Sequence, residues 1–236
     1  MPSNYQAYRE MADVAARQLT HSYQSWTQFL DTAARLYKYP YHEQLMIHAQ
    51  RPDATACAEY DFWNERMGRY IRRGSKGIAL IDTSGHKPRL RYVFDVADTG
   101  ERDRSRAVNL WSFRPEHEDG IRAMLEDNFA APAAQELPEQ LQEISSRLAA
   151  EYWNDYKLDI LRNIDGSYLD GYDEYNVGVQ FRNAASTSIT YMLMSRCGLD
   201  AAGYLEPEDF MPVFDFNTPA TVGVLGTAVS EISQRP

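Results

Sequence analysis

The segment from Trp63 to Ile78 contains the residue types and spacing that point most directly to chemistry. It reads WNERMGRYIRRGSKGI, in which basic side chains surround glycines and alternate with aromatics. Basic side chains can contact phosphates, and glycines let a backbone approach a ligand closely. A charged groove combined with aromatic stacking platforms is how proteins hold a single nucleic-acid strand. We therefore predict a nucleic-acid site in this segment.

The candidate contact residues are the basic residues and glycines of this segment, one tyrosine, and the basic residues that follow. They are Arg69, Tyr70, Arg72, Arg73, Gly74, Lys76, Gly77, Lys87, Arg89 and Arg91. Trp63 or Tyr92 could also stack on a base. Such large aromatics are commoner in a core, and we expect Trp63, Tyr92 and Phe94 there. The simpler alternative is a solvated basic face on an ordinary sheet, which charge alone slightly favours.

Charge is distributed unevenly along the chain. The chain has 24 Lys and Arg against 34 Asp and Glu, a net charge of −10 that by itself disfavours a polyanionic partner. Residues 62–114 hold 12 basic and 6 acidic residues, a net of +6, whereas residues 115–236 hold 7 and 21, a net of −14. This segregation indicates a basic site more clearly than the total excludes one.

Apolar spacing predicts the elements that position these residues. Three N-terminal helices are expected, over residues 3–19, 25–37 and 41–50. Ser3 is the expected N-cap of the first helix. The second has a core stripe at helical spacing, formed by Trp26, Phe29, Leu30, Ala33 and Ala34. The third is expected to turn Leu45, Met46 and Ala49 inward.

Short strands are expected after the helices. Residues 70–72 and 78–81 are predicted strands, joined by the glycine-containing residues 73–77 into a basic hairpin. Residues 82–88 are a second turn, followed by a strand over residues 89–96 that would pair antiparallel. The alternation in this last strand predicts that Leu90, Tyr92 and Phe94 form its packed face.

The acidic half of the chain is predicted to be mostly helical. Helices are expected over residues 139–162 and 184–196, and a last helix begins at Thr218-Pro219, a cap followed by a favourable first residue. That helix still continues at Gln234, so we expect a longer polypeptide. The predicted fold is α+β: N-terminal helices pack on a small, mainly antiparallel sheet, and a mostly helical acidic half follows. The predicted domains are 1–114 and 115–236.

Motifs for enzyme chemistry are missing from the sequence. There is no HExxH, CxxC, GxSxG or GxxxxGK[ST] pattern. Residues 163–166 resemble the middle of an EF-hand loop, but Leu161 and Tyr172 stand where carboxylates are required. We therefore predict no catalytic activity, no metal and no cofactor. An enzyme is the third-ranked hypothesis, either a nuclease that uses the acidic cluster between Asp165 and Glu174 or a degenerate peptidase.

Residues 23–99 together resemble a known family, the N-terminal domain of ArdC-type antirestriction proteins. The resemblance is carried by a long ordered pattern: Trp26, Phe29-Leu30, Tyr39, Leu45, Ile47, Gln50-Arg51-Pro52, Ala54-Thr55, Trp63, Gly68-Arg69, Arg72-Arg73-Gly74, Lys76-Gly77-Ile78 and Tyr92-Val93-Phe94-Asp95-Val96. It implies a non-catalytic module that binds single-stranded DNA in a bacterial mobile element, and it also implies a role in conjugation. Helicase, methylase or primase regions of the same polypeptide are then expected partners. The sequence departs from the family at Pro40 and Glu43, where the family has Ser and Asn.

The acidic half, the cysteine count and the first residues of the sequence bear on the class of function and on the cellular compartment. The strongly acidic half makes a second class of function reasonable, a DNA-mimicking inhibitor of a basic DNA-processing enzyme. Two cysteines are too few for a disulfide framework, and no basic-then-apolar leader opens the sequence. We therefore expect a cytoplasmic protein with reduced thiols and no membrane partner.

Overall fold

The computed structural model describes residues 4–85, 87–129 and 132–236, and it has the predicted α+β fold. The N-terminal helices are α1 (Asn4–Leu19), α2 (Tyr23–Arg35) and α3 (Tyr41–Gln50). All three predicted helices are therefore confirmed. The predicted N-cap Ser3 lies outside the described residues, and so does His86 in the predicted turn.

Helix α2 shows why these helices form where they do. Ser22 is its N-cap, and the Ser22 hydroxyl accepts a hydrogen bond from the Ser25 N–H at 3.1 Å. Its predicted core stripe is buried along its whole length. In α3, however, Ala49 is exposed and the prediction that it turns inward is wrong. The helix instead buries Glu43 and Gln44, whose polar groups have partners inside the protein.

The strands form two antiparallel sheets. They are β1 (Cys57–Glu59), β2 (Tyr70–Ile71), β3 (Ile78–Asp82), β4 (Arg89–Asp95) and β5 (Thr99–Gly100). One sheet has the order β1-β4-β3, and the other pairs β2 with β5. A π-helical turn, Phe62–Arg66, lies between β1 and β2.

The predicted basic hairpin between β2 and β3 is therefore wrong, because these strands lie in different sheets. Residues 72–77 cross from one sheet to the other. The edge of β3 is already occupied by helix α3. The Gln50 amide donates to the Ala79 carbonyl at 2.8 Å and accepts from the Ala79 N–H at 2.9 Å. A side chain thus takes the hydrogen bonds that β2 would have made.

The packed face of β4 is the opposite of the predicted one. Val93 is fully buried beside Ile78 and Leu80, whereas Tyr92 is 44% exposed. Asp95 is also buried, because its carboxylate accepts hydrogen bonds from the backbone N–H groups of Thr55, Ala56 and Ala97. The inner face carries the charged residues Arg91 and Asp95, each of which has a partner inside the protein. Because charged side chains usually face solvent, the sequence pattern predicted the wrong face.

Besides 3-10 helical segments such as Pro207–Asp215, the described part of the acidic half contains four α-helices. They are α4 (Glu118–Phe129), α5 (Leu137–Leu161), α6 (Glu174–Arg196) and α7 (Pro219–Ser233). Helix α6 begins ten residues before its predicted start, at a cap where the Asp173 carboxylate accepts from the Asn176 N–H. The Thr218 cap of α7 is present as predicted.

One hydrophobic core runs across the predicted boundary at residue 114. It contains residues of α1 to α3 together with residues of α4 to α7. The Trp26 indole N–H donates to the Ser188 hydroxyl at 2.9 Å, and the Tyr191 hydroxyl donates to the Asp31 carboxylate at 3.0 Å. The N-terminal helices therefore connect the sheets to the acidic half as one packed body.

Candidate nucleic-acid interface

The loop of residues 72–77 is held against the chain that follows β4. The Arg72 N–H donates to the Asp98 carbonyl at 2.8 Å, and the Ser75 N–H closes a turn on the Arg72 carbonyl at 3.1 Å. Gly74 has φ +90°, a backbone conformation that favours glycine. The loop is thus fixed at its base while Gly74 is exposed at its tip.

Three cations of this loop, Arg72, Arg73 and Lys76, are exposed. The Arg72 guanidinium donates to the Ala97 carbonyl at 3.2 Å. Within the described residues, the side chains of Arg73 and Lys76 have no hydrogen-bond or ion-pair partner. These charges are therefore available to an anion from outside.

A second basic segment, Arg102 to Arg106, lies alongside the first. The Arg106 N–H donates to the Met67 carbonyl at 2.9 Å, and the Ser105 hydroxyl donates to the Gly68 carbonyl at 2.8 Å. Together with the β2–β5 pairing, these hydrogen bonds hold residues 67–72 and 98–106 side by side as one ribbon, which is interrupted by a turn where the Ser105 N–H donates to the Arg102 carbonyl at 2.9 Å. The five residue steps from residue 67 to residue 72 span at most about 18 Å, so the ribbon is short.

We call the exposed cations of this ribbon and its adjoining loop the basic ledge. Its members are Arg72, Arg73, Lys76, Arg102, Arg104 and Arg106. The three arginines of the second segment were not among the predicted contact residues. The signal that could have revealed them is their density, since three arginines fall within five residues of the segment with the highest net positive charge.

Tyr70 is the aromatic side chain of the ledge. It is 43% exposed, and its ring lies against Gly100, its cross-strand partner. A Cβ atom at residue 100 would stand 2.3 Å from the Tyr70 Cζ, so only glycine leaves room for the ring. The Arg102 guanidinium is 5.8 Å from the ring centroid. Tyr70 is thus held in place with almost half of its surface accessible.

Two predicted contact residues, Arg69 and Arg91, are engaged inside the protein. Arg69 is 7% exposed and donates to the Thr99 hydroxyl at 2.7 Å and to Glu101 at 2.8 Å. Arg91 donates to Glu43 at 2.5 Å and to Glu59 at 3.1 Å. Arg69 therefore fastens β2 to β5, and Arg91 fastens β4 to α3 and β1.

Lys87 and Arg89 lie at the far end of the β3–β4 hairpin, about 16 Å along β3 from Gly77. Both are exposed, and Arg89 contacts the Asp82 carboxylate at 2.8 Å. Hydrogen bonds from Ser84, and then from Arg89, hold the pKa of Asp82 well below its ordinary value. The charge of Arg89 is thus compensated, and this end of the hairpin is separate from the ledge.

The remaining predicted positions have packing roles. Gly77 lies beneath Tyr92 and Phe94, where an added Cβ would be 3.1 Å from each side chain. Trp63 is buried, as expected, and its indole N–H donates to the Phe94 carbonyl at 2.8 Å. These residues stabilise the sheet beside the ledge.

Three carboxylates of the acidic cluster in the third hypothesis make hydrogen bonds or an ion pair with neighbouring residues. Asp170 accepts from the Gly166 N–H, Asp173 caps α6, and Glu174 contacts Lys157 at 2.6 Å. Across the described ranges, no group of three or more His, Cys, Asp or Glu residues is placed to hold a metal ion.

Burial raises the pKa of the Cys57 thiol to about 12 and also raises that of Cys197.

Comparisons of the chain with protein-family models, with curated proteins and with solved structures give no match. Among the described helices, none combines the length and the apolar character that crossing a membrane requires.

Proposed function

We propose that this protein binds single-stranded DNA through the basic ledge and has no catalytic activity of its own. The observation that carries the proposal is the ribbon of residues 67–72 and 98–106 with its adjoining loop, in which six exposed cations lie on the chain segments that flank Tyr70 and its cross-strand partner Gly100. The resemblance to the ArdC-type N-terminal domain supports the same function. The cytoplasm of a bacterial cell that receives DNA is the corresponding setting.

A single strand fits the ledge better than a duplex does. Its bases are unpaired and can stack on an exposed aromatic, which is worth about 1–3 kcal/mol per base. The exposed part of Tyr70 offers such a surface, and the Arg102 guanidinium lies near the same ring. Cations along the ribbon would contact the phosphates on either side, without reading the base sequence.

A salt titration tests the proposal. Fluorescein-labelled oligothymidylate of about 16 nucleotides is titrated with the protein and followed by anisotropy at several salt concentrations. For a single strand, log K falls with log salt by about 0.7 for each phosphate contacted. The double variant Arg72→Ala and Arg73→Ala should flatten that slope by about 1.4, because two contacts are lost.

The matched control is the double variant Arg9→Ala and Arg17→Ala. It removes the same charge from exposed positions of α1, away from the ledge. It should leave the slope unchanged. The proposal is wrong if the wild-type protein fails to bind at low salt, or if both double variants change the slope equally. Failure to bind DNA together with capture of a basic DNA-processing enzyme would favour the inhibitor hypothesis.

A further inference from the structure

A cleft of about 920 Å³ opens between the sheets and the helical half. It lies between the α2–α3 connection, the start of β1, residues 109–111 and the end of α6. Its lining includes Tyr37, Lys38, Trp111, Met124 and Arg196. The volume is at the upper end of the range for small-molecule sites, and the mixture of aromatics and cations suits an anionic aromatic ligand.

Arg196 is the unusual residue of this cleft. Its guanidinium lies 4.1 Å from the centroid of the Tyr37 ring and donates to the Ser233 carbonyl at 2.5 Å. Within the described residues no carboxylate contacts it, and burial lowers its pKa. Asp31, which also lines the cleft, accepts from Tyr191 instead. A guanidinium has five N–H donors, so Arg196 retains donors and an uncompensated charge for an anion.

Trp111 supplies an aromatic surface at the cleft. It is 61% exposed, whereas the other three tryptophans of the chain, Trp26, Trp63 and Trp153, are buried. Its ring is 5.7 Å from that of His117 and 6.3 Å from that of Phe113. An exposed indole supported by other rings is a suitable stacking partner for a base.

The cleft is close to the basic ledge. Arg106 belongs to the ledge, and Asn109 lines the cleft. Three residues of chain span at most about 11 Å. A strand that contacts Arg104 and Arg106 would therefore reach the cleft without leaving the protein surface.

From this geometry we propose that the cleft binds one unpaired nucleotide of the same DNA strand, with Arg196 contacting a phosphate and Trp111 stacking on the base. The proposal rests on the proposed function, because the ledge supplies the strand. Lys38, whose ammonium is 5.7 Å from the Tyr37 centroid, adds a second cation for the phosphate. The ledge would then give non-specific affinity, and the cleft would fix the position of one nucleotide.

Tryptophan fluorescence tests the cleft directly, because Trp111 is the exposed tryptophan. Titration with unlabelled oligothymidylate should quench the wild-type emission, and Trp111→Phe should abolish the quenching. Trp111→Ala should weaken anisotropy-measured binding by about 5- to 150-fold, the range for loss of one stacked base. Tyr175→Ala, at an exposed aromatic of α6, is the matched control and should bind like wild type.

Arg196 is tested with a conservative pair of variants. Arg196→Gln should flatten the salt dependence by about 0.7, the value of one phosphate contact, and Arg196→Lys should largely restore it. Thermal unfolding shows whether either variant has lost the fold. If Arg196→Gln does not fold, the Trp111 variants carry the test, because Trp111 lies at the surface.

The outcomes separate this proposal from the proposed function. If the oligonucleotide binds and the ledge double variant weakens it, yet Trp111 is not quenched and Trp111→Ala binds normally, the cleft proposal is wrong and the ledge stands. If the wild-type protein does not bind the oligonucleotide at all, both fail. Quenching in Trp111→Phe equal to that in wild type would also overturn the cleft proposal.

Discussion

His48 illustrates how one buried side chain sets a property of the molecule. Its Nδ1 lies 2.9 Å from the Thr32 hydroxyl, which itself donates to the Pro52 carbonyl at 2.8 Å. Burial, together with the nearby Arg35 charge, lowers the pKa of His48 from its usual 6.5.

Stability should therefore depend on pH through His48. In the unfolded chain this histidine takes up a proton at about pH 6.5, whereas the folded protein keeps it neutral to lower pH. The unfolded state binds more protons between the two pKa values, so stability is full above about pH 6.5 and decreases as the pH falls through the lowered pKa. His48→Gln should reduce this dependence, as measured by urea unfolding at pH 5 to 8.

The exposed His21 provides the control for this measurement. His21→Gln should show the same pH dependence as wild type. An unchanged slope in His48→Gln would mean that other groups dominate the loss of stability at low pH.

Helix α3 determines which strands can pair, because Gln50 occupies both backbone groups of Ala79 on the edge of β3. Gln50→Ala should leave the buried Ala79 N–H and carbonyl without these partners, at a cost of about 1–3 kcal/mol for each such group. Urea unfolding should show the loss of stability, and hydrogen exchange should show faster exchange of the Ala79 amide.

Gln28→Ala, on the exposed face of α2, is the comparison for this variant. It should change the free energy of unfolding by less than about 0.5 kcal/mol. Equal effects of the two substitutions, or an Ala79 amide that exchanges at the wild-type rate, would contradict the role assigned to Gln50.

The elements that could be predicted from sequence are those with a local signal. The stripe of α2 and the Thr218 cap of α7 depend on neighbouring residues, and both are confirmed. The partner of β2 depends on Gln50, some twenty residues earlier, and strands this short carry little alternation. The ion-paired arginines Arg69 and Arg91 could not be distinguished from free ones in the sequence, because their carboxylate partners lie 32 and 48 residues away.

Residues 1–114 should not fold as an independent unit, because their helices share a core with α4 to α7. A chain that ends at Arg114 would expose Trp26 and Phe29, which are buried in the full chain. We expect weak amide dispersion by NMR and no cooperative thermal transition, whereas the chain of 236 residues should unfold cooperatively. A sharp thermal transition in the shorter chain would show that residues 1–114 fold independently and would contradict this prediction.

The shared core also fixes the +6 and −14 segments relative to one another, and the molecule consequently has a permanent electrostatic polarity. Long-range fields act before contact, over a Debye length of about 8 Å at physiological ionic strength. A polyanion that approaches the acidic helices is repelled, and one that approaches the basic ledge is attracted. Encounters are therefore oriented before any hydrogen bond forms, and the rate of association should decrease with added salt even where the contacts themselves are unchanged.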